Sequence, residues 1–193
     1  MQNVHCGVLA LQGDIEEHEQ ALAKLHVQST RILHANQLAG LSHLILPGGE
    51  STTMSLFFRE PQGQELKKTI QDRVQCGELA VFGTCAGAIL LAENVISHHS
   101  IENMGLIEAT LSRNAYGSQL DSFEAEIEFL PLQKKINAVF IRAPKIVEYG
   151  SSVEVLARHE DEPVMLHQGR VLLGTFHPEY IDPPCVHEYF LGM

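Results

Sequence analysis

Between an apolar run at Leu79 to Phe82 and a small, apolar run at Ala88 to Ala92, the chain carries Gly83-Thr84-Cys85-Ala86-Gly87. No other segment restricts the fold as tightly. A strand that turns at once into a helix, with a reactive side chain on the turn, needs a strained backbone at its centre. It also needs neighbours without bulk, so that strand and helix can approach. The pattern is G-x-nucleophile-x-G, with Cys where another family carries Ser. It sets Cys85 under a helix N-terminus, where the positive end of the dipole favours thiolate over thiol. It also leaves the Ala86 N–H free to meet an oxyanion on a substrate held by the sulfur. A buried structural cysteine in a tight turn fits the same five residues equally well.

Strand and helix signals alternate ahead of this elbow. Val4 to Leu11 reads as a buried strand ending at Gln12-Gly13-Asp14. Asp14 stands three residues before Glu17, a capping-box spacing, and Ile15, Leu22 and Leu25 then share one helical face. Gln28 to Leu33 and His43 to Leu46 read as further strands, the latter stopped by Pro47-Gly48-Gly49. Ser51 or Thr52 is the expected cap of the next helix, and Leu66 to Val74 fits a further, amphipathic one. The alternation predicts an α/β domain with a mostly parallel sheet covered on both faces.

From Glu124 the spacing changes. Glu124 to Phe129, Ala138 to Ile141, Val153 to Arg158, Pro163 to His167 and Val171 to Thr175 read as strands. Several should pair as antiparallel hairpins, with Gln168-Gly169 as a turn, before a terminal helix over Val186 to Leu191. There is no repeat and no Ser/Gly linker, so residues 1–193 are expected to form one domain, a length that can bury a full core.

Thirteen basic residues against 24 acidic ones give a net charge of −11. That balance argues against nucleic acid or an anionic membrane as the partner, since both reward a basic face. Met1 to Leu11 lacks the charged start of a signal peptide, and no apolar stretch approaches a membrane span. Cys6, Cys76, Cys85 and Cys185 form no C-x-x-C pair, so neither a disulfide framework nor a metal site is expected, and a reducing, cytoplasmic setting fits.

A cysteine nucleophile wants a histidine within reach and a third group to hold that histidine's tautomer. Among 11 histidines, His177 is distinctive because the apolar strand before it is ended by Pro178. His177 then sits where the strand leaves the sheet, and Glu179, two residues on, can lie on the same side of an extended segment and accept the imidazole N–H. A satisfied polar residue at a strand end explains His177 alone just as simply. His98 and His99 fall in an expected surface loop. A second Gly-rich turn, Pro47-Gly48-Gly49-Glu50-Ser51-Thr52, lets a backbone amide approach a ligand and complete an oxyanion hole with Ala86. It lacks a Walker lysine or G-x-G-x-x-G spacing, and it also reads as a plain turn and helix cap.

Taken together, the segments GVLALQGDIEEHE (7–19), LPGGEST (46–52), GTCAGAILLA (83–92), RNAYGSQ (113–119), FIRAP (140–144) and FHPE (176–179) carry a resemblance that runs nearly end to end. The chain resembles the class I, triad-type glutamine amidotransferases, and among them the glutaminase subunits of pyridoxal 5′-phosphate synthases. G-x-C-x-G and HPE belong to the wider class; the ALQGD opening, RNAYG and FIRAP are specific to this subfamily.

The resemblance implies a flavodoxin-like three-layer domain with an antiparallel strand extension, and a Cys85, His177, Glu179 triad. It implies that Gly48, Gly49 and Ala86 supply the oxyanion amides, and that Gly49, Glu50, Ser51, Arg113, Ile141 and Arg142 line the L-glutamine site. An arginine is apt there because a guanidinium grips a carboxylate bidentately, but the sequence leaves open which of the two does so. No cofactor is implied. The implied partner is a synthase subunit that takes the ammonia within a large hetero-oligomer. Ser118 departs from the basic residue the family commonly has there, and Tyr180 to Cys185 is atypical. Two other readings share parts of the pattern: a free-standing cysteine hydrolase of γ-glutamyl amides, and a non-catalytic redox-sensing domain on the same fold.

Overall fold

The computed structural model describes residues 4–113 and 122–193. In chain order the strands are β1 (Cys6–Leu9), β2 (Ser29–Ile32), β3 (His43–Leu46), β4 (Ala80–Thr84), β5 (Ala92–Ile96) and β6 (Ile107–Ser112). They continue with β7 (Ser122–Phe129), β8 (Lys134–Ile141), β9 (Lys145–Tyr149), β10 (Glu154–His159), β11 (Glu162–Gln168) and β12 (Val171–Gly174). The helices are α1 (Ile15–Lys24), α2 (Ser51–Phe57), α3 (Pro61–Gln75), α4 (Ala86–Leu91) and α5 (Cys185–Leu191).

One large sheet runs β2-β1-β3-β4-β12-β11-β10-β7-β8. Its first five strands are parallel, in the doubly wound order expected of a flavodoxin-like sheet, and the rest pair antiparallel. The four inner parallel strands, β1, β3, β4 and β12, are buried throughout because both sides are covered, whereas the edge strand β2 is Ser-Thr-Arg-Ile and largely exposed. Val8, Ile45, Phe82 and Leu172 point to the layer holding Leu22 of α1 and Val186 and Phe190 of α5. Their neighbours Leu9, Leu44, Leu46, Val81 and Leu173 point to the layer of α2, α3 and α4, against Met54, Leu66 and Ile70. This is the two-residue period of a strand, and each fully buried Leu, Ile or Phe contributes roughly 1.5–3 kcal/mol.

Three short strands were not foreseen. β5, β6 and β9 form a second sheet, in which β5 and β6 are parallel and β6 and β9 antiparallel. Ala92, grouped above with the helix, instead has extended backbone and starts β5. Two capping expectations also change. Asp14 makes no side-chain cap bond to α1. The cap of α2 is Glu50 rather than Ser51 or Thr52: its carboxylate accepts from the backbone N–H groups of Thr52 and Thr53. The motif RNAYGSQ is described only at Arg113; its remainder, with Ser118, lies outside the described residues.

The consequence for function is positional. The turn at Gln12 to Asp14 follows β1, the glycine turn at Gly48 and Gly49 follows β3, Cys85 follows β4, and His177 comes three residues after β12. All four leave the carboxyl ends of adjacent parallel strands, where ligands bind in open α/β sheets.

Candidate active site

Cys85 begins with its backbone. Its φ of 47° and ψ of −102° lie outside the regions L-residues ordinarily adopt, so the elbow stores strain at the residue that carries the sulfur. The surrounding glycines let this stand. A Cβ on Gly87 would meet the Leu46 carbonyl oxygen at 1.9 Å, and one on Gly83 would meet the Gly87 carbonyl oxygen at 2.6 Å. The Cys85 N–H is tied to the Gly174 carbonyl at 2.9 Å, fixing the elbow to β12. Its thiol donates weakly to the Ile141 carbonyl at 3.7 Å.

His177 is held from three directions. Its N–H donates to the Val139 carbonyl at 2.8 Å, so β8 fixes its backbone. Its Nδ1 lies 2.7 Å from Glu179 Oε1 and 3.2 Å from Asp14 Oδ2. The other ring nitrogen, Nε2, is buried and makes no hydrogen bond among the described residues. Burial alone would pull the imidazole's pKa down, but its contacts with Asp14, Cys85 and Glu179 outweigh it and raise it. Glu179 is itself pushed up by burial, against the opposing pull of His177. Asp14, only partly buried, is drawn below the usual carboxylate range by its contact with His177. These three side chains converge closely enough to suggest a metal site. With a shared Nδ1 proton between two carboxylates, they form a hydrogen-bonded acid–base unit without any ion.

The glycine turn closes over the histidine. A Cβ on Gly48 would meet His177 Cε1 at 2.6 Å and Asp14 Oδ2 at 2.9 Å. The Gly48 carbonyl accepts from the Asp14 N–H at 3.3 Å, and Gly13, at φ 105°, leaves it room where a Cβ would come within 1.6 Å. In a planar trans peptide, the Gly49 N–H then points away from that carbonyl. Among the described residues, neither the Gly49 N–H nor the Ala86 N–H donates to another backbone group. Two amides are therefore unspent at the turns flanking the nucleophile.

The expected glutamine-site residues divide. Arg113 donates through Nη2 to Glu50 Oε1 and through Nη1 to Thr52 Oγ1, the latter at 2.5 Å. Ser51 is buried in the first turn of α2. Ile141 reaches the site through its carbonyl on Cys85. Arg142, at φ 46°, is exposed and makes no ion pair among the described residues. Two residues near the triad escape a reading of the sequence. Asp14 reads there as a helix cap, and its role depends on a partner 163 positions away. His18 is lost among 11 histidines, although its place on the apolar face of α1, between Ile15 and Leu22, is a readable signal.

Residues 8–193 match the model of the SNO glutamine amidotransferase family. The chain belongs to that family. It is 45% identical over 187 residues to the pyridoxal 5′-phosphate synthase subunit PdxT of Thermus thermophilus, covering 97% of this chain and 96% of that one. It is also 45% identical over 188 residues to PdxT of Thermotoga maritima, covering 97% of each. A crystal structure of a glutamine amidotransferase superposes with a TM-score of 0.91 at 45% identity, covering 97% of each chain. The PurLQS structure of Thermotoga maritima, at TM-score 0.76 and 17% identity, shares the fold. No helix among the described residues of this family member is long and apolar enough to cross a membrane.

Proposed function

We propose that the chain hydrolyses L-glutamine to L-glutamate and ammonia, as the glutaminase subunit of a cytoplasmic pyridoxal 5′-phosphate synthase, with residues 1–193 forming one catalytic domain. The observation that carries the reading is the disposition of His177: Nδ1 held by Glu179 at 2.7 Å, and Nε2 buried without a partner beside the strained Cys85 elbow. That is the geometry of a base whose tautomer is fixed by one nitrogen so that the other can serve a nucleophile.

In the reaction, the Cys85 sulfur attacks the side-chain amide carbon of glutamine. The carbonyl oxygen takes the negative charge and is met by the Ala86 and Gly49 N–H groups. The proton carried on His177 passes to the amide nitrogen, the C–N bond breaks, and ammonia leaves a thioester on Cys85. His177 then takes a proton from water as the water oxygen attacks the thioester, and glutamate departs with the thiolate restored. Glu50 and Arg113 offer paired opposite charges that match the α-ammonium and α-carboxylate of a free amino acid. The Thermus and Thermotoga relatives are subunits of pyridoxal 5′-phosphate synthase, which supports a synthase subunit as the recipient of the ammonia.

Glutamate release from glutamine, measured on the purified chain with and without a matching synthase subunit, tests this reading. Hydrolysis that rises when the synthase is added, and that vanishes in Cys85→Ala, is the expected result. Equal hydrolysis with and without the synthase would point to a free-standing hydrolase, and none in either case would sink the reading.

A further inference from the structure

The reaction described above uses one face of Glu179. The other face meets a buried pair of histidines that the mechanism leaves idle. Glu179 Oε2 is buried with no hydrogen-bond partner among the described residues, and His18 Nε2 lies beside it at 3.4 Å. The same Nε2 lies 3.2 Å from Thr84 Oγ1, on the residue immediately before the nucleophile. The opposite ring nitrogen, His18 Nδ1, lies 2.9 Å from His187 Nε2 on α5. Both histidines are fully buried, and their rings are 5.1 Å apart.

Two tautomer arrangements satisfy these distances, and they are not equivalent. If His18 carried its proton on Nδ1 and gave it to His187, its bare Nε2 lone pair would face the Glu179 carboxylate. His187 would then carry its proton on Nδ1, which is buried with no partner, leaving an orphaned donor. If instead His187 donates from Nε2 to His18 Nδ1, His18 must carry its proton on Nε2, aimed between Glu179 Oε2 and Thr84 Oγ1. His187 Nδ1 is then a bare acceptor, the less costly group to leave unpaired. Burial keeps both rings neutral, pulling His187 down to about 4 and His18 well below its ordinary value.

We propose that His18 is a positioning residue for the triad: oriented by His187, it donates from Nε2 to Thr84 and turns the positive edge of the same N–H toward Glu179 Oε2 at 3.4 Å, and so holds the acid of the triad against the strand that bears the nucleophile. The donors then converge on the Glu179 carboxylate, from His187 through His18 on one side and from His177 Nδ1 on the other. Without His18, no N–H would face the buried Glu179 Oε2, and the carboxylate would be free to rotate off His177 Nδ1. The proposal rests on the glutaminase reading for its kinetic readout.

The test uses the full chain with its synthase partner and three variants. In His18→Gln the side-chain amide nitrogen reaches the position of Nε2, whereas in His18→Asn it reaches that of Nδ1, and His18→Leu removes both. Expected are kcat values for glutamine within about threefold of wild type for His18→Gln, and about 10- to 100-fold lower for His18→Asn and His18→Leu, with KM little changed.

A second readout is the pH profile. Glu179 faces His177 on its own turn and Asp14 and His18 from the α1 side, with Tyr180 beside His177. Removing the His18 donor raises the pH at which Glu179 protonates. Activity needs the ionised carboxylate and is lost as pH falls through that point, so the acid limb of kcat moves to higher pH in His18→Asn and back in His18→Gln.

The rate of Cys85 alkylation by iodoacetamide, followed by mass on the Cys85 peptide, repeats the comparison without glutamine. A wild type that hydrolyses no glutamine would defeat the function reading, yet alkylation would still decide the role of His18. Equal loss in His18→Gln and His18→Asn, or unchanged kcat and acid limb in His18→Leu, overturns the proposal. Should His18→Leu fail to fold, the contrast between the two amide variants decides it alone.

Discussion

His177 Nδ1 lies between two carboxylates, Glu179 at 2.7 Å and Asp14 at 3.2 Å, which reach it from opposite ends of the chain. A single N–H is shared unequally, with the shorter bond to the buried Glu179. Asp14 has a second tie to the site, because its backbone N–H holds the Gly48 carbonyl. It therefore touches both the base and the glycine turn. Glu179→Gln should lower kcat by about 100-fold or more, and Asp14→Asn by less than about 10-fold. The double variant should lose more than the product of the two, since each carboxylate partly replaces the other. A strictly multiplicative loss in steady-state kcat would show that Asp14 acts through the turn and not on His177.

Gly48 tests how closely the turn is fitted to the base. Its backbone is not in the left-handed region, so alanine is acceptable to the chain there, but the new methyl would sit 2.6 Å from His177 Cε1. The ring must then swing away from Cys85 or the turn must lift with its amide. Gly48→Ala is expected to lower kcat by about 100- to 1,000-fold, the range for losing an oxyanion donor. Its melting temperature should stay within a few degrees of wild type. A fully active Gly48→Ala would show that the turn moves freely and contributes no ordered donor.

Much of this was legible in the sequence where local pattern and tertiary demand agree. His43-Leu44-Ile45-Leu46 is apolar throughout because both faces of β3 are covered, and the structure ends that strand at the residues the sequence suggested. Gly83 to Gly87 and His177-Pro178-Glu179 are local motifs whose geometry is set within five residues. The second sheet was not legible because β5 and β9 are half exposed and carry no clean alternation: Glu93, Asn94 and Ile96 all face solvent. Asp14 shows a different limit. Its spacing to Glu17 is a sound capping signal, but the carboxylate contacts His177 instead, a relationship that only the assembled sheet brings about.

The Glu50–Arg113 pair predicts how the substrate's ends are recognised. Glu50 is held below the usual carboxylate range: burial raises it, but the Thr53 and Thr52 donors and the nearby Arg113 charge outweigh that. It stays ionised and able to receive an α-ammonium. Arg113→Ala should raise KM for glutamine by about 10- to 100-fold while kcat falls less, as expected for a charge-assisted contact made equally in ground and transition states. A glutamine analogue lacking the α-carboxylate should be a poor substrate of wild type and no poorer in Arg113→Ala. If the variant discriminates between the two substrates as strongly as wild type does, another group, Arg142 foremost, grips the carboxylate.

Buried neutral histidines set the acid stability of the fold. Burial lowers His187 from 6.5 to about 4, burial and the Arg170 charge lower His43 to about 4, and burial also holds His18 well below its ordinary value. A group whose folded pKa is depressed contributes stability that is fully present above its unfolded value and is lost as pH falls through its folded value. His187 then accounts for roughly 3 kcal/mol of stability lost as pH falls from 6.5 to about 4, and His43, less deeply buried and more screened by solvent, for a smaller share in the same window. His43 is the clean probe, because it packs edge-on against Phe190 and makes no contact with the triad. The melting temperature should decline steeply from pH 6.5 to 4, and His43→Asn should flatten that decline while leaving glutamine hydrolysis near wild type. A His43→Asn profile parallel to wild type would mean that His43 titrates normally and that the acid transition arises elsewhere.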